Sequence, residues 1–251
     1  MTIPISCKCI TYGRVDLLEE SLYSFLTQEY DGDSELIIVN DYPEQRLFFD
    51  HPRVKIFNFD KQFSTIGEKE NFAIEQCEYN TIAVWDDDDI ALPNHLKNIN
   101  RFFPGHDLLH WQKGALIDYS KITSLCSLGN SGIVYTRDIW ERAGGHALEN
   151  AGYDMTFVMK LKYDLKCKIS LAEPLDEDVS WMYCWGGRSY HMSGLGTDVE
   201  GRENVLVRHS NYIEKQKDKG LIPVGDVELN PKWSINYKEL LTDYLKGTNV
   251  Q

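Results

Sequence analysis

Six cysteines stand in 251 residues, and none forms a CxxC pair with a matching second pair or a histidine set. The usual zinc and disulfide frameworks are therefore absent. Cys7 and Cys9 lie two apart in an apolar, strand-like run, so they share one face, as buried small hydrophobes do. Positive charge is scarce as well: 26 Lys and Arg stand against 39 Asp and Glu, a net charge of −13. That balance disfavours nucleic acid and anionic bilayers as partners. No stretch approaches the roughly 18 apolar residues of a membrane span, and Met1 to Ile10 lacks the charged and apolar parts of a signal peptide. A cytoplasmic location is the expectation. Repeats and low-complexity segments are lacking too. What remains, 42% hydrophobic and 26% charged, suffices for one sizeable core, so one main domain with appendages is expected.

Ile3 to Ile10 reads as a strand, and Leu17, Leu18, Leu22, Phe25 and Leu26 then repeat at helical spacing. Glu35 to Asn40 and Val54 to Phe59 read as further strands. Thr65-Ile-Gly-Glu68 has the form of a capping box opening a helix through Cys77. Thr81 to Trp85 is a fourth strand, and Pro93 stands where the first residue of the next helix is expected. After Arg101 the pattern is less regular. Asp138 to Ala143 and Asp154 to Tyr163 look helical, and Trp181, Tyr183 and Trp185 alternate as on one strand face, as core or as an acceptor platform. Val205, Leu206, His209, Tyr212 and Ile213 form a helical stripe. A last stripe, Tyr237 to Leu245, follows a loop from Gly220 to Pro231; its mixed flanking charge suits a structural or dimer contact rather than a membrane surface.

Strands alternating with helices predict a mostly parallel sheet covered on both faces, with ligands bound beyond the carboxyl ends of its strands. Thr11, Asp41 and Asp86 all fall at or just past such ends. The sharpest local feature is Asp86-Asp87-Asp88-Asp89, directly after the apolar run Ile82 to Trp85. Four like charges this close repel, and a hard divalent cation is the usual compensation, although a solvated acidic turn has the same composition. An EF-hand beginning at Asp86 fails at Ile90, Ala91 and Lys97, and a DDxxD motif fails at Ile90. A short D-x-D holding phosphate oxygens through a metal survives.

These segments, in this order, resemble a family 2 glycosyltransferase of GT-A fold from about Ile3 to Gly194. Ile10-Thr-Tyr-Gly-Arg14 is similar to the family's P-T-Y-N-R strand end, and Glu20 to Tyr30 to its first helix. Glu35 to Asp41 is similar to E-I-I-V-V-D-D, and Gly67, Lys69 and Asn71 resemble the segment G…A-R-N. Trp85 to Asp89 resembles L-D-x-D-D, and Gly144-Gly145 resembles G-G-F.

The resemblance implies an α/β, Rossmann-like sheet flanked by helices, with a C-terminal helical extension. It implies residues 1–200 as the catalytic domain, 1–100 on the nucleotide side and 101–200 on the acceptor side, and 201–251 as the extension. It implies that Thr11 and Asp41 contact the nucleotide, Asp41 accepting from a base N–H such as uracil N3. Tyr12, Arg14, Lys69 and Asp87 fall on the same donor side, Lys69 as a weaker phosphate candidate. Asp86 would face ribose and sugar, and Asp88 would ligate Mn²⁺ or Mg²⁺, with His191 completing the metal or phosphate site. Gly152-Tyr-Asp-Met-Thr156 occupies the place of the family's G-E-D-x-D, so Asp154 matches the general base, while Tyr153 and Thr156 depart from the flanking acids. Glu149 is the nearest spare carboxylate. The expected activity is inverting transfer from a nucleotide-diphosphate sugar, of uridine type, to an unknown acceptor hydroxyl. A sugar-1-phosphate nucleotidyltransferase is the rival enzyme, but its Gly-rich amino-terminal loop is missing: Gly13 is the only glycine in the first 31 residues. A catalytically inactive nucleotide-sugar-binding module is the rival outside enzymes, and a modified DNA base is the outlying choice of acceptor.

Overall fold

The computed structural model describes residues 2–118, 120–185 and 205–248. The amino-terminal half runs β1 (Ile5–Thr11), α1 (Val15–Leu26), β2 (Ser34–Asn40), β3 (Gln45–Phe48), β4 (Val54–Asn58), α2 (Ile66–Glu75) and β5 (Thr81–Val84). There follow β6 (Ile90–Ala91), α3 (His95–Phe102), β7 (Leu108–Trp111), β8 (Gly114–Asp118), β9 (Lys121–Cys126), β10 (Val134–Thr136) and α4 (Arg137–Ala143). Then come α5 (Tyr153–Met159), β11 (Ile169–Ala172), β12 (Trp181–Trp185), α6 (Val205–Asp218), β13 (Gly225–Glu228) and α7 (Tyr237–Thr248).

A seven-stranded sheet in the order β11-β7-β10-β5-β1-β2-β4 forms the centre. It is mixed but mostly parallel, because β10 alone runs antiparallel to its neighbours β5 and β7. All seven residues of β2 are buried, as a strand covered on both faces requires. One face packs Ile5, Cys7, Cys9, Leu36 and Ile38 against Leu18, Leu22 and Phe25 of α1 and Leu96 and Ile99 of α3. The other packs Ile37, Val39 and Ile82 against Ala73 and Ile74 of α2, Ile139 of α4 and Phe157 of α5. Cys7 and Cys9 do share a face, and burial pushes both thiols well up, so they serve as apolar filler.

Local signals account for the helix ends near the rim. Thr65 caps α2, its hydroxyl accepting from the Glu68 amide at 3.0 Å, while the Glu68 carboxylate accepts from the Ser64 amide at 3.0 Å. The return bond of the box thus lands one residue before the cap. Gly13, at φ +70°, lets the chain leave β1 and enter α1 within a few residues.

Three expectations need correction. Pro93 is not the first helical residue: Asn94 caps α3 and His95 begins it, because Ile90 and Ala91 stay extended to pair with β12 and the turn comes later. The helix expected through Tyr163 changes to a wider π turn over Lys160–Asp164. The loop from Gly220 to Pro231 contains β13, which pairs in parallel with β3.

A second sheet, β6-β12-β8-β9, extends from the turn after β5. α7 covers it, with Tyr237 and Leu241 packed on Ile90, Ile117 and Met182, and the Tyr237 hydroxyl donates to Glu20. Its apolar stripe is thus used inside the chain. Trp181 is core: its ring meets those of Trp85 and His95 at 5.9 and 4.9 Å, and its indole N–H donates to Ser131 at 2.7 Å. No helix among the described residues is long and apolar enough to cross a membrane.

Gly67 marks the closest approach of α2 to the loop before α5, where its amide donates to the Glu149 carbonyl at 3.0 Å. A Cβ there would meet the Ala147 carbonyl oxygen at 1.8 Å, which backbone alone must relieve. Gly67→Ala is therefore expected to destabilise the fold by about 1–3 kcal/mol, as overpacking does. Urea unfolding should show a lower midpoint at unchanged slope.

Candidate active site

β1 lies between β2 and β5, parallel to both, and Thr11 stands opposite Asn40. The carboxyl ends of these strands therefore form one rim, and Thr11, Asp41 and Asp86 all sit on it. Asp41 accepts from the Phe63 amide at 2.9 Å and from the Lys69 ammonium. Lys69 is 5% exposed and also donates to the Thr11 carbonyl at 2.6 Å. It ties the ends of β1 and β2 together rather than standing in solvent.

The first turn of α6 closes this side. Leu206 and His209 line a cavity of about 90 Å³ together with Thr11, Tyr12, Arg14, Asp41, Phe63 and Lys69. Tyr12 stacks edge-on to Tyr42 at 5.0 Å, and buried Ile213 packs beside them. Burial, reinforced by Arg14 and Lys69, lowers His209 to about 3, and its Nε2 has no hydrogen-bond partner among the described residues. A neutral imidazole thus shares this cavity with the two cations that line it. The sequence marked His209 only as part of a helical stripe.

The acidic run divides by function. Arg14 caps the gap between pocket and carboxylates: its Nε donates to Asp87 at 3.0 Å, one terminal nitrogen donates to the other Asp87 oxygen, and another reaches Asp88 at 3.0 Å. Asp87 thus takes a two-pronged guanidinium bond. Burial works against the Arg14 charge, but Asp87 and Asp88 outweigh it and raise the pKa. Asp89, 1% exposed, points away from the rim, accepting from Ser131 at 2.7 Å and the Cys184 amide at 2.8 Å. It fastens β12 to the turn. Burial pushes Asp86 up to about 7, with Lys8 opposing and Asp88, Glu70 and Asp87 adding to the rise. Burial likewise pushes Asp87 up to about 6, against Arg14. The turn holds more negative charge than its protein cations balance, which suits a further cation. Among the described residues no group of three His, Cys, Asp or Glu side chains is gathered to hold one.

Asp154 lies in the first turn of α5, half-buried, and accepts from Asn130 at 3.2 Å. Burial pushes its neighbour Tyr153 well up, and the charges of Glu70, Asp154 and Asp86 add to the rise. Glu149 is exposed in the preceding loop. His191 lies outside the described residues.

Residues 8–108, which include the end of β1, the strand-end rim and the whole acidic run, match the family described as Glycosyl transferase family 2. Over this segment the chain is similar to that family. Comparison with curated proteins gives no significant match. Among solved structures, the chain is similar to S. aureus TarS 1–349 in complex with UDP-GlcNAc, at 18% identity and TM-score 0.60, covering 97% of this chain and 72% of that one. It is similar to the longer S. aureus TarS at 17% identity and TM-score 0.57, over 73% of this chain and 37% of that one. It is also similar to the mannosyltransferase PcManGT from Pyrobaculum calidifontis in complex with GDP-Man and Mn²⁺, at 12% identity and TM-score 0.54, over 97% of this chain and 69% of that one. In the structure of TarS 1–349 alone the match spans 60% of that chain. At these identities the likeness shows the fold, which is GT-A.

Within this segment, Arg14 and Asp87 are mutually dependent, since removing one partner leaves a buried charge alone. Arg14→Gln is expected to lower stability by about 3–5 kcal/mol. Adding Asp87→Asn should recover much of that loss. A double-mutant cycle of urea unfolding in chelator measures the coupling, and additive losses would mean the pair is energetically idle.

Proposed function

We propose that the chain is an inverting glycosyltransferase that moves a sugar from a UDP-type nucleotide-diphosphate donor to an acceptor hydroxyl. Residues 1–200 would form the catalytic unit, and 201–251 the extension that closes over the donor side. The observation that carries this reading is the junction at Arg14: one side chain lines the Thr11–Asp41–Lys69 pocket and also bonds to Asp87 and Asp88. Nucleoside recognition and diphosphate recognition thus meet on one rim.

Asp41 supports the uridine preference. A carboxylate has about four lone-pair sites, so the bonds from Lys69 and Phe63 leave room to accept a base N–H. Uracil N3 offers one and unprotonated cytosine N3 does not. UDP should therefore displace bound donor well ahead of CDP, by about tenfold or more, and Asp41→Ala should erase the difference. Equal competition by the two nucleotides, read by calorimetry, would take Asp41 out of the base pocket.

The excess negative charge of Asp86 to Asp88 fits a hard divalent ion, Mn²⁺ or Mg²⁺. Asp88, with Asp86 beside it, would hold that ion, and diphosphate oxygens and water would fill most of the shell. When bound, it supplies Lewis acidity for charge developing on the leaving diphosphate. Arg14 and Lys69 add fixed positive charge on the same side. Asp154 would take the acceptor proton, a role that needs a carboxylate within hydrogen-bond reach of the incoming hydroxyl.

The two carboxylates separate in experiment. Asp88→Asn should abolish the Mn²⁺-dependent tightening of UDP. Asp154→Asn should keep donor and metal affinity while transfer falls at least ~100-fold. Near-normal transfer by a folded Asp154→Asn protein would move the base assignment to Glu149. Loss of donor binding together with turnover would make Asp154 a structural first-turn residue.

A further inference from the structure

Beneath the rim lies an ion pair that this reaction scheme leaves without a task. Lys8, in the middle of β1, is 3% exposed, and Glu70, on α2, is 1% exposed. Lys8 donates to one Glu70 oxygen, and the other accepts from the Tyr153 hydroxyl at 3.1 Å. A charged acceptor makes this phenol bond one of the stronger kind. Three elements thereby meet at one carboxylate: the central strand, the helix behind it, and the first residue of α5.

Beyond the packing of Phe157 and Val158, α5 has little to fix where it begins. It is seven residues long, starts from Gly152 at φ +76°, and has no side-chain cap. An absent cap means that no local side chain anchors this first turn. Two side-chain bonds from outside do so instead, Tyr153 to Glu70 and Asn130 to Asp154. The edge-on contact of Tyr153 with His146, at 5.6 Å between rings, fixes the roll of the same residue.

We propose that Lys8, Glu70 and Tyr153 form a positioning chain that sets Asp154 relative to the donor rim, so that the strand ending at Thr11 also fixes the acceptor-side carboxylate. This rests on the reading of Asp154 as the base. Glu70 holds its place because Lys8 belongs to β1, which pairs on both sides and cannot shift without the sheet. A misplacement of about 1 Å between reacting groups costs on the order of 100-fold in rate, so loosening one bond in the chain is enough to be read kinetically.

Tyr153→Phe tests it, since the ring packing stays and only the bond to Glu70 goes. Transfer kcat is expected to fall about tenfold, with UDP affinity near that of the parent and the thermal midpoint lowered only by the loss of one hydrogen bond. In an Asp154→Asn background the same substitution should change residual transfer by less than about twofold, because a positioning residue has nothing left to position. Glu70→Gln, which keeps an acceptor for Tyr153 but loses the charge that Lys8 holds, should fall between parent and Tyr153→Phe in kcat if it folds. A tenfold loss in both backgrounds, or no loss in either, overturns the positioning role while leaving Asp154 as base. Near-normal transfer by Asp154→Asn alone overturns the base reading, and the positioning chain falls with it.

Discussion

A turn that buries several carboxylates at the end of a strand has to be balanced by cations, and much of the rim follows from that need. Asp86 and Asp87 are held up near 7 and 6 by burial and by the charge of Asp88. Arg14 answers from the loop after β1, and Lys8 answers from below. Lys69 stands on the same side, neutralising Asp41. Each cation comes from a different element, so charge balance also sets how β1, α2 and the acidic turn sit together. Replacing such pairs by apolar residues often costs little, whereas breaking one is expensive. Their presence here is more economically explained by a polar ligand than by stability alone.

The donor half was largely legible. β1, β2, β4 and β5 are apolar runs long enough to read as buried strands, and the placement of Thr11, Asp41 and Asp86 at their ends follows from strand direction. The acceptor half was not, because strands such as β6, β10 and β11 are two to four residues long and owe their existence to distant pairing. The hidden site residues did leave a trace. In α2 the buried face comprises Lys69, Glu70, Ala73 and Ile74, so two charges stand inside an apolar stripe. Lys8 interrupts a buried strand in the same way. A charge at a core position implies a partner, and the three resolve into Lys8 with Glu70 and Lys69 with Asp41.

The same rule separates the four aspartates, which composition could not. Asp87 finds a guanidinium, and Asp89 finds a hydroxyl and an amide that hold it away from the rim. Asp86 and Asp88 stay at the rim, Asp88 shared with Arg14. Asp89 has a wider consequence, since its bonds reach Ser131 and β12, and Ser131 in turn accepts from Trp181. The acidic turn is therefore clamped from its far end to the second sheet.

α6 completes the division of labour. Its inner face gives Ile213 to the tyrosine cluster and Leu206 and His209 to the donor cavity, while Tyr42 donates to Glu214 at 3.1 Å. The cavity left is about 90 Å³, well under the roughly 300 Å³ at which ligand pockets begin. On the proposed reading, a nucleotide beside Asp41 would need Leu206 and His209 of α6 to move aside. The two halves of the site then differ in rigidity for a physical reason. Tyr153, beside Asp154, is bonded through Glu70 to Lys8 of β1, whereas α6 meets the rim through apolar and aromatic contacts and the Tyr42–Glu214 bond. On the proposed reading, donor binding would move α6 while Asp154 stays where the sheet puts it.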